Sequence, residues 1–216
     1  MNIALFDYGA GNLHSLGKAL ETAGASVTIT DRWEEALALD ALVLPGVGAF
    51  GQAASALPRD RSHLLDALRG GLPCLGICLG MQLLFQDSDE ATGSGIGLIE
   101  GSVRRLDAPV VPHMGWNDVE TAPDPLFAGV GDLVAYFANS YVCEPVDPSC
   151  VIGRTTYAGR DFVSAVREAN CWGVQFHPEK SSTDGRRIVE NFVRSAERIV
   201  ASPARAIPSD DHGVRR

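Results

Sequence analysis

Short apolar runs alternate with helical periodicity through the first half of the chain. Asn2–Phe6 is apolar and brief. After the turn Asp7-Tyr8-Gly9-Ala10-Gly11, Leu13, Leu16, Leu20 and Ala23 recur at the spacing of one helix face, with Gly24 as a stop. Further strands are predicted at 27–30, 41–44 and 73–77, and helices at 33–39 and 62–68. Strands separated by helices require crossover connections, so these elements predict a parallel sheet. Beyond Phe85 the texture changes. Runs at 99–106, 110–111, 133–141, 151–156, 162–167 and 172–176 are β-like and joined by turn residues, which predicts a meander or hairpins appended to the sheet. A last helix, 185–200, carries Ile188, Phe192, Ala196, Ile199 and Val200 along one face. The expectation is one α/β domain over 1–201, and the polar, proline-bearing stretch 202–216 reads as a flexible tail.

Composition narrows the class. With 18 Lys and Arg against 27 Asp and Glu, the formal net charge of −9 argues against a nucleic-acid or anionic-membrane ligand. No apolar run approaches the roughly 20 residues of a membrane helix, and no basic segment precedes an apolar one at the start. The five cysteines include no Cys-x-x-Cys pair, so reduced thiols in the cytoplasm are expected, with no metal and no cofactor.

Candidate chemistry centres on Gly76-Ile77-Cys78-Leu79-Gly80, which follows a predicted strand and precedes an apolar helical segment. This is a nucleophile elbow with cysteine in the serine position. The flanking glycines permit a sharp reversal, which holds the sulfur at the start of a helix where unpaired amides favour a thiolate. The amide of Leu79 would face a developing oxyanion. Far downstream stands Gln175-Phe176-His177-Pro178-Glu179. Pro178 biases His177 toward extended geometry, where residues two apart share a side, so Glu179 can orient His177 while His177 exchanges a proton with Cys78.

These segments, with Met81-Gln82 after the elbow, resemble the class I glutamine amidotransferases, and the resemblance covers the chain from about Asn2 to Val200. It implies a flavodoxin-like fold and a triad of Cys78 as nucleophile, His177 as general acid/base and Glu179 as orienter. It implies a second oxyanion amide from Val47 or Gly48 in Pro45-Gly46-Val47-Gly48, and glutamine contacts from Gln82, Ser140 and Tyr141. Asp7-Tyr8-Gly9-Ala10-Gly11-Asn12, Pro112-His113-Met114-Gly115-Trp116-Asn117 and Lys180-Ser181 are further similar to the glutaminase subunits that serve histidine biosynthesis. The implied partner is a (β/α)₈-barrel cyclase in a heterodimer, reached through Asn12, Trp116 and Lys180. Ala10 stands where proline is common and Asn139 where histidine is expected, both near that surface. From the residues alone, Trp116 could equally be core, Lys180 a solvated charge, and Gly9-Ala10-Gly11 a tight turn rather than a phosphate cradle. A glutaminase for another synthase, such as that of anthranilate synthesis, a cysteine hydrolase and an inactive binding subunit are the rival readings.

Overall fold

The computed structural model describes residues 1–9, 13–46 and 48–202. The chain begins β1 (Asn2–Phe6), α1 (His14–Thr22), β2 (Ser26–Thr30), α2 (Trp33–Leu37) and β3 (Ala41–Leu44). It continues through α3 (Phe50–Ala56), α4 (Ser62–Arg69), β4 (Cys74–Ile77) and α5 (Leu79–Leu83). The second half holds β5 (Asp87–Ser88), β6 (Gly101–Arg105), β7 (His113–Thr121), β8 (Leu133–Asn139) and β9 (Tyr141–Pro145). Last come β10 (Val151–Tyr157), β11 (Arg160–Glu168), β12 (Cys171–Val174) and α6 (Ser182–Val200).

One sheet joins these strands in the order β2-β1-β3-β4-β12-β11-β10-β7-β8, with β9 and β6 branching from β11 and β5 from β6. The first five are parallel to their neighbours; from β12 onward the pairing is antiparallel. The order of the parallel part is that of a flavodoxin-like sheet with β12 as its fifth strand.

Alternation along the strands explains why both faces are covered. Ile3, Leu5, Val43, Leu75, Ile77, Trp172 and Val174 point to a core shared with Leu16 and Leu20 of α1 and Ile188, Val189 and Phe192 of α6. Ala4, Phe6, Leu42, Leu44 and Cys74 face the opposite core, built with Trp33, Phe50, Leu64 and Leu68. Each fully buried Leu, Ile or Phe contributes roughly 1.5–3 kcal/mol, so the central strands are held from both sides. Ligands of such sheets lie beyond the carboxyl ends of the strands, and the ends of β3, β4 and β12 meet there.

Several expectations need correction. Residues 110–111 form no strand; Val110 is exposed in a loop that includes a cis Val111-Pro112 bond. Residues 133–141 are two strands broken at Ser140, and α3 and β7 are elements the pattern did not announce. β12 is no appended hairpin but a central strand, parallel to β4 and fully buried. The elbow helix begins at Leu79 and α6 at Ser182, each earlier than predicted. Of the tail, residues 203–216 lie outside the described residues.

Candidate active site

Cys78 stands between β4 and α5 with φ 45° and ψ −101°, a conformation that costs a non-glycine residue about 1–3 kcal/mol. The surroundings hold it there: its N–H donates to the Val174 carbonyl at 2.7 Å, and its own carbonyl accepts from the Gln82 amide at 3.0 Å. The flanking glycines have a measurable reason. A Cβ on Gly76 would lie 2.6 Å from the Gly80 carbonyl, and one on Gly80 would collide with the Leu44 carbonyl. Only without those atoms can α5 sit directly on the ends of β3 and β4. Leu79 opens that helix, so its N–H belongs to the first turn, where no intrahelical acceptor exists.

β12 brings the base. After Val174 the chain bends at Gln175 and Phe176, reaches His177 (φ −102°, ψ 95°) and enters a 3₁₀ turn over Pro178–Lys180. His177 Nδ1 lies 2.8 Å from Glu179 Oε1, with the imidazole 3% and the carboxylate 8% exposed. The pairing is as expected, but the cause differs: the turn folds Glu179 back onto the ring, where an extended chain was anticipated. Burial alone would depress the His177 pKa. Hydrogen bonding to Cys78 and Glu179, and their negative charge, outweigh it and raise the value to about 9. An imidazolium is therefore favoured at neutral pH, flanked by sulfur and carboxylate. Gly46, at the exit of β3, is pressed against this ring: a Cβ there would be 2.9 Å from His177 Cε1.

The other cysteines behave as spacers. All five are free and buried. A hydrogen bond from Cys171 together with burial raises the Cys74 thiol, and burial raises Cys143 well up and Cys150 to about 11.

Gln82 is buried, and its Nε2 donates to the Tyr141 carbonyl at 3.3 Å; Asn139 Nδ2 donates to the same oxygen at 3.0 Å. Gln82 and Tyr141 are thus brought together beside the elbow, with Ser140 at the break between β8 and β9. Asn139 is 3% exposed, so its side chain shapes this junction from within. Gly48 is exposed with φ 118°; Val47, Ala10 and Asn12 lie outside the described residues. Gly9 has φ 76° and donates its amide to Asp7 Oδ1 at 2.8 Å; the rest of the expected turn, residues 10–12, lies outside the described residues.

Trp116 is 54% exposed, which removes the core reading. Its ring meets Tyr136 edge-on at 6.1 Å, and Lys180 Nζ sits 5.7 Å from the Tyr136 ring centre. With exposed Met114 and Val134 they form one apolar face on the β7–β8 hairpin. Gln175 was missed as a site residue. It is fully buried and donates from Nε2 to Cys78 Sγ at 3.4 Å.

Among known families, the description Glutamine amidotransferase class-I matches residues 4–196. The chain is 44% identical over 213 residues to the imidazole glycerol phosphate synthase subunit HisH of Acaryochloris marina, covering 94% of this chain and 98% of that protein. It is 45% identical to the subunit of the same name from Methanocaldococcus jannaschii, over 88% of this chain and 98% of that one. For Deinococcus radiodurans the identity is 47%, over 89% and 93%. Among solved structures, a glutamine amidotransferase superposes with a TM-score of 0.69 at 20% identity, covering 90% of this chain and 99% of that chain. PurLQS from Thermotoga maritima superposes with a TM-score of 0.70 at 18% identity, covering 89% and 97%. These two superpositions carry the fold alone.

Proposed function

This chain belongs to the class I glutamine amidotransferases, and from that membership we propose that it is the glutaminase subunit of an imidazole glycerol phosphate synthase. It hydrolyses glutamine to glutamate and ammonia and passes the ammonia to a cyclase subunit in histidine biosynthesis. The reading is carried by one observation: a strained cysteine at the elbow faces a histidine whose pKa is raised to about 9 between that sulfur and Glu179.

The chemistry follows from the geometry. The Cys78 proton passes to His177, and the thiolate attacks the side-chain carbonyl carbon of glutamine, forming a C–S bond. Charge moves onto the carbonyl oxygen, which the Leu79 amide and a second amide from Val47 or Gly48 stabilise. Collapse breaks the C–N bond, and the imidazolium supplies the proton that lets ammonia leave. Water then attacks the thioester as His177 takes its proton, and glutamate departs with the thiolate restored. Glu179 keeps Nδ1 protonated and the ring oriented throughout. Gln82, Ser140 and Tyr141 line the glutamine side. No residue in this sequence of steps requires a metal or a cofactor.

The partner is a (β/α)₈-barrel cyclase, and the chain works beside it as a heterodimer in the cytoplasm. No helix among the described residues is long and apolar enough to cross a membrane. The docking face is the hairpin patch of Met114, Trp116 and Tyr136 with Lys180, to which Asn12 belongs by resemblance; exposed apolar patches of this kind mark association surfaces. A Cys78→Ala chain mixed with the cyclase should yield no product from glutamine, yet full product from added ammonium salt. Glutamine-dependent turnover by that variant would sink the nucleophile. Failure of ammonium to support it would sink the division of labour.

A further inference from the structure

We infer that Gln175 is a catalytic hydrogen-bond donor, holding the Cys78 sulfur as a thiolate alongside His177. The inference rests on Cys78 being the nucleophile. The amide is fully buried, its Nε2 lies 3.4 Å from Cys78 Sγ, and its Oε1 has no partner among the described residues. A primary amide in that position is expensive: one buried, unpaired carbonyl-type acceptor costs about 1–3 kcal/mol, whereas methionine or leucine would fill the space without it. The contact that the amide makes therefore needs a reason other than stability. Rotated by half a turn, the amide would set its oxygen against the sulfur, where it suits a thiol and repels a thiolate; the orientation present here sets the donor there, which suits the thiolate.

Position supports the same conclusion. β12 is hydrogen-bonded beside β4 in parallel register, and the Val174 carbonyl fixes the Cys78 amide at 2.7 Å. Gln175 is the next residue, its own N–H anchored to the Ser164 carbonyl at 2.9 Å, so its side chain leaves a rigid backbone beside the sulfur. His177, two residues on beyond a bend, hydrogen-bonds the same sulfur. One strand end thus delivers a neutral donor and a proton acceptor to a single atom. A thiol sulfur is a weak acceptor and a thiolate a strong one, so the donor acts mainly on the charged form. It lowers the work of ionising Cys78 before attack, and it stabilises the same sulfur as leaving group when the thioester is hydrolysed. The titratable groups facing the sulfur are His177 beyond β12, Glu179 behind it, and Cys143 from β9, whose burial keeps it a neutral thiol.

The test is the pH dependence of Cys78 alkylation by iodoacetamide in the full chain, with the modified residue identified by mass spectrometry. Gln175→Met removes the donor at similar volume, and Gln175→Glu keeps the shape but replaces the donor with a group that is repulsive when ionised. A charge-assisted hydrogen bond of ordinary strength predicts a midpoint raised by about one pH unit in Gln175→Met and further in Gln175→Glu, with roughly tenfold slower labelling below the midpoint. Labelling above both midpoints should converge on the parent rate. In the unmutated chain, one glutamine side-chain amide proton should move in NMR spectra with the same midpoint. Unchanged midpoints in a folded variant overturn the inference, as does a Cys78 titration that no glutamine amide follows. If the parent chain is labelled at another cysteine and spared at Cys78, the nucleophile assignment fails instead, and the two failures are distinct.

Discussion

Replacing Glu179 by glutamine should move the upper pH limit of the reaction downward. His177 is held at about 9, against the ordinary imidazole value of 6.5, although burial opposes the charge. At about 1.36 kcal/mol per unit, the hydrogen bonds and charges of Cys78 and Glu179 together favour the imidazolium by about 3 kcal/mol more than burial disfavours it. The ring is 3% exposed, so solvent screening removes little of this. If the carboxylate at 2.8 Å supplies a third to a half of the net effect, Glu179→Gln lowers the His177 pKa by about one unit. The sign for stability follows from a raised folded-state pKa. The contribution is fully present below about 6.5 and is lost as pH rises through about 9. Hence the parent's advantage over the variant in unfolding free energy should be greatest near pH 6 and shrink toward pH 10. The rate carries the same signature: kcat/KM for glutamine, measured from pH 6 to 10, should fall near 9 in the parent as the imidazolium is lost, and about one unit lower in Glu179→Gln. Residual activity should exceed that of a Cys78→Ala chain, because the orienter is not the nucleophile. Coincident upper limbs in parent and variant would refute the electrostatic coupling of Glu179 to the base.

Two further outcomes follow from the geometry. Gly80→Ala places a Cβ against the Leu44 backbone, which cannot rotate away, so denaturant unfolding should show a loss of about 3 kcal/mol or more; a change under about 0.5 would mean the elbow has slack that the contacts do not show. Trp116→Ala removes a side chain that is 54% exposed, so folding stability should stay within about 0.5 kcal/mol while calorimetric affinity for the cyclase drops by about 2 kcal/mol, near thirtyfold; an unchanged Kd would move the docking surface elsewhere.

The parallel half of the fold was legible because short, mostly apolar runs are followed by helical spacing. β1 and β3 match their predicted bounds. The elements that escaped have physical reasons. α3, Phe50-Gly51-Gln52-Ala53-Ala54-Ser55-Ala56, buries Phe50, Ala53 and Ala54, but alanines give its periodicity too little contrast to stand out. β7 buries only His113 and Val119, while Met114, Trp116 and Asp118 are exposed; no alternation of apolar and polar positions marks it. β12 misled in another way: an apolar run among hairpins looks like a hairpin, and only tertiary pairing reveals that it completes the parallel sheet. For the candidate site, local motifs singled out Cys78, His177 and Glu179, and the pairing of the last two is present at 2.8 Å. Gln175 was not singled out, because its role depends on a strand 97 residues distant lying next to its own.

The position of His177 is set partly from outside the triad. Its N–H donates to the Tyr136 carbonyl at 2.8 Å. The Ser181 hydroxyl donates to the His177 carbonyl at 2.6 Å and accepts from the Tyr136 amide at 2.9 Å. These three bonds close a ring between the turn that carries the base and the middle of β8, and Ser181 is 1% exposed. Breaking one buried member would strand its partner, at about 1–3 kcal/mol, so the ring resists distortion. The ring of Tyr136, meanwhile, packs between Trp116 and Lys180 on the exposed face. A protein seated on that face lies one peptide unit from the backbone of the general base. Yet the ring and the contacts His177–Glu179 and Gln175–Cys78 are already made in the lone chain. A ligand alters an equilibrium only through a difference in its interaction with two states. Under the proposed function, docking that leaves these bonds as they are would accelerate glutamine hydrolysis only through groups outside them, the proposed oxyanion amides and the proposed glutamine contacts at Gln82, Ser140 and Tyr141.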